Sequence, residues 1–544
     1  MNGSIFGYYD EIIEKCPING ESVYIQSHDG KDLGGNLFYV AADFLSGKYG
    51  KMKVFVLLKS VNEPSKSMKI LKERFGDADL EFVEVESKEH LYAMATSKYL
   101  FTDVQFSAFF AKRVGQICVQ VWHGTPLKRL GYEYVNDVAF TGAQKKSFID
   151  ADLILYPNEY TKKHMNRSYR LDNLCDGEMW INGYPRNAVF FDENKRDYVR
   201  KKEKLSDKVV YAYMPTWRGG LTRVEDSSKQ KDFLKAVDKV LDDSHVMYVN
   251  MHRLMSDDIN FSEFMRVKPF PNDLETYEFL AATDCLITDY SSVMFDYLCT
   301  RNKTILYVYD KKDYLRKQGL YFNLDNLPFP QESEIEKVIE QMFLDKHYND
   351  DEVYEMFCNN DDKNSVWNLC QKVLEKQKTV SCKSKESILL YGGDLRPNEH
   401  TIKFIDYMDS LDTETNNICV CYDSSKFHSD AIYLQAVPLP YDLISIDTYK
   451  GDYLFDTNNG EHNCTACDLW KKCYKIQFHN IKIHKIVCFI DRYDIVLEIL
   501  GASDSKITFV IDMSIISDVD RKKVMELADR RKITVVNDFD RVRI

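Results

Sequence analysis

Short apolar runs recur between amphipathic segments along most of the chain, and this alternation limits the folds open to it. KVFVLL, LEFVEV, YLFTD and ICVQVWHG follow one another between Lys53 and Gly124, and KVVYAYMP, VMYVNMH, CLITD and TILYVYD between Lys208 and Asp310. Each is five to eight residues long and rich in β-branched and aromatic side chains. That is short for a helix, and a run that is apolar throughout rather than at every second residue needs burial on both faces. Strands of this kind, separated by helical segments such as KDFLKAVDKVLDD and SSVMFDYLCTR, form parallel sheets with helices on both sides, an α/β fold.

A chain of 544 residues is too long for one core, and its length suggests about three or four domains. The charged stretch from Asp192 to Lys208 divides a first lobe, residues 1–195, from a second, 196–375. The Lys/Ser-rich EKQKTVSCKSKES marks a linker over 376–387, and ILLYGGDL opens a further α/β module over 388–544. A hydrophobic content of 44% with 29% charged residues is that of a folded soluble protein. The net charge of −13 speaks against a nucleic-acid partner, despite the basic segment NKRDYVRKKEK. The start lacks the basic and apolar succession of a secretory leader, and no apolar run reaches roughly 18 residues, so a cytoplasmic location is expected. Most of the 14 cysteines sit singly in apolar segments, as reduced buried thiols do.

Polar clusters fall where the strands end, which is where open α/β sheets bind ligands. In VQVWHGTPLKRLG, from Val119 to Gly131, a strand ends at Trp122. Thr125 suits an N-cap and Pro126 a first helical position, so a helix is expected just after Gly124. His123 then lies at the mouth, beside a glycine that lets a ligand approach the backbone and amides that favour an anion. CLITDYSSVMFDYL repeats the design: Ser291 or Ser292 caps the next helix, and Asp296, four residues after Ser292, shares its face. The serines would seat a phosphate and Asp296 would accept hydrogen bonds from hydroxyls. YMPTWRGG places Thr216 and Arg218 past a strand, and VNMHRLM does the same for His252 and Arg253. Arginine offers phosphate a fixed fork of donors, and histidine can hold a proton near neutral pH. Taken singly, each cluster reads as a capping serine, a loop-bound histidine or a solvated arginine. Four of them at four strand ends point to one site.

WHGTPLKRLG, GYPRN, MPTWR, NMH, LITDYSSVMFDYL and YLRKQGLYF, in that order between about Ser22 and Leu374, resemble the CDP-glycerol glycerophosphotransferase family, the polymerases and primases of teichoic acid and related capsular polymers. The resemblance implies a GT-B fold of two facing Rossmann-like lobes, the first on the acceptor side and the second binding the CDP-polyol. It implies transfer of glycerol phosphate, or in close relatives ribitol phosphate, to a lipid-linked or polymeric acceptor with release of CMP. Peripheral association with the inner face of the cytoplasmic membrane would follow. Trp122, His123, Gly124, Thr125, Pro126, Arg186, Pro215, Thr216, Asn250, Met251, His252, Ser291, Ser292 and Asp296 would line the donor site. His123 and His252 are the catalytic candidates, His123 as the base toward the acceptor hydroxyl, and His252 and Arg218 as stabilisers of the transferred phosphoryl group. Two positions depart from the family: Ala188 stands for an aspartate, and Asn250 for a basic residue. No cofactor is required, although Asp289 is compatible with Mg²⁺ at the diphosphate. Two other readings are a GT-B glycosyltransferase with a nucleotide-sugar donor and a polymer-binding scaffold without catalysis.

In the last module, ILLYGGDLRPNEHTIKFIDYMDSLD resembles the first strand, glycine turn and helix of a GT-B glycosyltransferase's amino-terminal lobe. Half a GT-B unit would lack its own donor site, so acceptor binding or a structural role is expected there. Within it, Cys464, Cys467 and Cys473, with His462 or His479, supply four ligands of the kinds a structural zinc takes, though at no standard spacing.

Overall fold

Three parallel sheets carry the chain, each with its first strand in the middle. The computed structural model describes residues 5–537 other than 64, 77, 108–109, 135–137, 173–174, 217–218, 221–222, 225–227, 252–258, 377–384, 397, 424–441, 447–469, 472, 476–477 and 479–481. The first sheet runs Leu80–Glu84, Lys53–Leu58, Asn19–Gln26, Ser97–Thr102, Ile117–Gln120, Leu153–Tyr156, Glu178–Ile181. The second runs Val267–Pro269, His245–Val249, Val209–Met214, Cys285–Thr288, Lys303–Tyr307, Gln331–Glu332. The third runs Asp442–Ile446, Asn416–Asp423, Glu386–Tyr391, Lys485–Ile490, Lys506–Ile511, Thr534–Val536. In each, the chain builds outward to one edge and then crosses back beside its first strand. That reversal opens a crevice at the carboxyl ends of the two central strands.

The apolar runs are buried on both faces, as their composition demands. Val23 pairs with Val54 on one side and Tyr99 on the other. Val23 and Ile25 enter one core with Leu37 and Phe38, while Tyr24 between them enters the opposite core with Leu57 and Leu100. The alternation follows from the two-residue period of a strand.

The charged stretch after Asp192 forms the helix Glu193–Lys202, capped by the Asp192 carboxylate on the Lys195 amide at 3.1 Å. The lobes on either side meet at several places. Arg74 of the first donates two bonds to Glu278 of the second, the longer 2.6 Å, and Tyr39 Oη donates to Glu275 at 2.8 Å. The helix Ser365–Glu375 returns to the first lobe, where Leu369, Cys370 and Val373 join its core.

No helix opens after Gly124. From His123 to Leu130 the backbone is irregular, and the next helical element is the 3-10 turn Gly131–Glu133. A tertiary partner takes the hydrogen bonds a helix would use. The Arg129 amide donates to Gly319 O at 3.3 Å, Leu130 to the Tyr321 hydroxyl at 2.9 Å, and the Tyr321 amide to Leu127 O at 2.9 Å. Local capping signals therefore yield to a lobe-to-lobe contact. The helix Val293–Tyr297 does form, but it is five residues long and the Ser292 side chain does not cap it.

The third sheet seats its edge strand Asp442–Ile446 on the helix Val138–Asp150 of the first lobe. Lys145 Nζ lies 3.4 Å from Asp442 Oδ1 with both side chains almost wholly buried, and the Tyr132 and Tyr422 hydroxyls are 3.1 Å apart. Ile149 belongs to the core of the third sheet. Cys473 is buried in that same core, whereas His462, Cys464, Cys467 and His479 lie outside the described residues. Among the described residues no helix is long and apolar enough to cross a membrane.

Candidate active site

At the reversal point of the first sheet, the ends of Asn19–Gln26 and Ser97–Thr102 bring Ser27, His28 and Asp103 together. Asp103 is 2% exposed. Its carboxylate accepts from Ser27 Oγ at 2.7 Å and the His28 amide at 2.9 Å, and lies 3.1 Å from His28 Nδ1. Its backbone carbonyl lies 2.9 Å from His123 Nδ1. A carbonyl only accepts, so Nδ1 of His123 carries the hydrogen and Nε2 is left as the basic nitrogen of the neutral ring.

Trp122 explains how the strand is interrupted. Its φ of 51° is left-handed, a conformation unfavourable for a residue with a β-carbon. The turn is held by the Trp122 amide on Gln120 Oε1 at 3.0 Å and by Asn36 Nδ2 on the Trp122 carbonyl at 3.1 Å. It sends the half-buried His123 ring out of the sheet to lie 4.1 Å, centroid to centroid, from the indole.

The two imidazoles have opposite electrostatics. Burial, with the charges of His28 and Arg186 added, lowers His123 to about 4, so it is neutral across the physiological range. Burial also disfavours a charge on His28, but the hydrogen bond and charge of Asp103 outweigh it and hold that ring above its ordinary value. Asp103 is itself held below the usual carboxylate range: burial opposes this, and His28 overcomes it.

Arg186 joins this cluster to the second lobe. Its guanidinium is buried, donating to His123 O at 2.9 Å and to Asp296 Oδ2 at 2.7 Å, and it lies 4.9 Å from the rings of both Tyr184 and Tyr277. Tyr277 Oη donates to the same Asp296 oxygen at 3.0 Å. Asp296 is 2% exposed, so it anchors Arg186 within the protein and does not stand open to a ligand's hydroxyls as the spacing suggests. Gly124 abuts Ser292: a β-carbon at 124 would lie 2.6 Å from Ser292 Oγ and 3.4 Å from Arg186 Nη2. His123, Gly124, Arg186, Ser292 and Asp296 thus converge from both lobes.

The remaining candidates flank this point. Asp289 Oδ1 accepts from the Thr216 amide at 2.8 Å and the Tyr290 amide at 2.6 Å, tying together the ends of the two central strands of the second sheet. Pro215, Thr216, Ser291 and Ser292 are half-buried, Thr125 is buried, and the Pro126 carbonyl accepts from Tyr160 Oη at 3.1 Å. The Asn250 amide donates to Tyr213 O at 3.0 Å, and Met251 packs on the second lobe's core. Ala188 is buried in the 3-10 turn Pro185–Phe191. Arg218 and His252 lie outside the described residues.

A cavity of about 460 Å³ opens on the first-lobe side of His123, its lining including His28, Lys31, Trp122, Arg129 and Tyr134. His28, Lys31 and Asp103 were not singled out by motif reading. His28 and Lys31 fall in SHDGKD, a polar cluster directly after an apolar run, whereas Asp103 carries no such mark.

A family model described as CDP-Glycerol:Poly(glycerophosphate) glycerophosphotransferase matches residues 9–375. A teichoic acid poly(glycerol phosphate) polymerase of Bacillus spizizenii is 28% identical over 378 residues, covering 65% of this chain and 92% of that protein. A teichoic acid poly(ribitol-phosphate) polymerase of the same organism is 26% identical over 369 residues, with 65% and 55% covered, so the match spans about half of that longer relative. In three dimensions, the wall teichoic acid polymerase TagF is similar with a TM-score of 0.56 and 22% identity, over 68% of this chain and 92% of that one. At that identity the likeness establishes the fold.

Proposed function

The chain belongs to the CDP-glycerol:poly(glycerophosphate) glycerophosphotransferase family, and from that premise we propose that it transfers glycerol phosphate from CDP-glycerol to a teichoic-acid-like acceptor, peripherally at the inner face of the membrane. The observation that carries the reading is the convergence of His123 and Gly124 of the first lobe on Ser292 of the second, with Arg186 bridging to Asp296.

In the proposed reaction an acceptor hydroxyl attacks the phosphorus that bears glycerol. The new P–O bond forms as the bridging oxygen leaves with CMP, and the hydroxyl proton passes to His123 Nε2. A neutral imidazole whose Nδ1–H is pinned on Asp103 O is suited to that role, which is typically worth about 10²–10⁴ in rate. Ser291, Ser292 and Thr216 would meet the diphosphate, and His252 and Arg218 would offset the charge that gathers on it. Arg186 acts by position: it holds the His123 carbonyl and fixes the lobes at the spacing in-line attack needs.

Incubating the protein with CDP-glycerol, CDP-ribitol and UDP-sugars, with an oligomeric acceptor, tests the reading. CMP release from CDP-glycerol with acceptor growth is the expected result. UDP release, or donor binding without turnover in any arm, would overturn it.

A further inference from the structure

Asp103 holds two imidazoles, one by its carboxylate and one by its carbonyl, and their rings lie 6.0 Å apart, centroid to centroid. Both histidines line the 460 Å³ cavity, as do Lys31, Arg129 and one carboxylate, Asp29. The reaction above uses His123 and the Asp103 carbonyl and leaves His28, the Asp103 carboxylate and the two cations without a task.

We propose that His28, oriented by Asp103, together with Lys31 and Arg129, clamps the phosphodiester one unit back from the acceptor's terminal hydroxyl, so that the hydroxyl is delivered to His123. The inference rests on the transferase reading and deepens it by naming the acceptor's recognised group. Its geometry is that of the substrate. A three-carbon polyol separates the attacking hydroxyl from the preceding phosphodiester, and the two rings are about that reach apart. Its charge is also appropriate, since His28, Lys31 and Arg129 outnumber the one carboxylate, Asp29, that lines the cavity and so favour an anionic chain end. A neutral sugar terminus would leave them unmatched.

The clamp is pH-sensitive through His28. The titratable and charged groups around that ring are Asp103, Asp29 and Arg186, with His123 6.0 Å away and Lys31 in the same cavity lining. Asp103 favours the imidazolium, which exists below the raised pKa and is lost as pH rises through it. Acceptor affinity should therefore weaken as pH rises through that raised value while donor affinity does not.

The test is direct binding of a fluorescent glycerol phosphate oligomer to the full chain between pH 6 and 9, with CDP-glycerol binding measured separately by calorimetry. His28→Asn should weaken the oligomer about tenfold at pH 6.5, the loss of one charge-assisted hydrogen bond, and flatten the pH dependence. His28→Arg should retain tight binding to pH 9, and neither variant should change CDP-glycerol affinity. Equal oligomer affinity and an unchanged pH slope in His28→Asn would overturn the clamp. So would binding only to phosphatidylglycerol vesicles, which carry the same phosphodiester on a lipid. Failure of the wild type to bind CDP-glycerol would count against the transferase reading, whereas oligomer binding tests the clamp without turnover.

Discussion

Gly124 and Ser292, 168 positions apart in the chain, approach so closely that a β-carbon on the first would lie 2.6 Å from the hydroxyl oxygen of the second. The lobes meet through a residue with no side chain, and the crevice keeps its width because of it. Gly124→Ala must push Ser292 away. Displacements of this order cost about 10²-fold in positioned reactions, so kcat/KM for CDP-glycerol should fall by about that factor. Thermal unfolding should reveal only about 1–3 kcal/mol of overpacking.

As the proposed base, His123 would set the acid limit of the reaction. Because burial lowers it to about 4, it is unprotonated throughout the neutral range, and kcat at saturating acceptor should decline only as pH approaches that value. His123→Gln should lower kcat by about 10²–10⁴ and remove that acid limb. A limb centred near the ordinary histidine value would contradict the proposed environment.

Arg186 spans His123 O and Asp296 in one plane between two tyrosines. Lysine cannot reproduce that fork. Arg186→Ala leaves Asp296 buried without its cation and should cost about 3–5 kcal/mol in urea unfolding. Arg186→Ala with Asp296→Asn should recover part of that stability but not activity.

Asp361 gives a stability test with a definite sign. Burial, with Asp296 nearby, raises it to about 8, while Oδ1 accepts from the Tyr184 amide at 2.8 Å and Asn187 Nδ2 at 3.1 Å. The folded state therefore binds this proton more tightly than the unfolded chain. Its contribution is full below the ordinary aspartate value and is lost as pH rises toward 8. Asp361→Asn keeps an oxygen acceptor and removes the proton, so denaturant unfolding from pH 5 to 8.5 should show a shallower decline than wild type. An unchanged slope would mean that the carboxyl is ionised in the fold.

Much of this architecture was legible in the sequence. The eight apolar runs from KVFVLL to TILYVYD all became strands, because a short run buried on both faces has few other fates. WHG and DYSS could be assigned to one site because both follow strands in an α/β pattern, but residues so far apart bear no local mark of which side chains touch. Two readings went astray for one reason. Thr125–Pro126 looked like a helix start and Asp296 like a hydroxyl acceptor, yet Tyr321 and Gly319 occupy the backbone of the first and Arg186 the carboxylate of the second. Tertiary partners decided both, and a linear pattern does not contain them. Asp103 is unremarkable alone, and only strand order makes it the neighbour of His28.

The helix Val138–Asp150 is gripped from two sides. Thr141 and Gln144 help wall the cavity beside His123, while Lys145 and Ile149 on the same helix are covered by the third sheet. Truncation after Glu375 would strip an ammonium and an apolar seam bare directly behind that wall. The carboxyl-terminal unit thus covers the face of this helix opposite the cavity. A displacement of that unit would therefore be transmitted, through one helix, to the wall of the cavity beside His123.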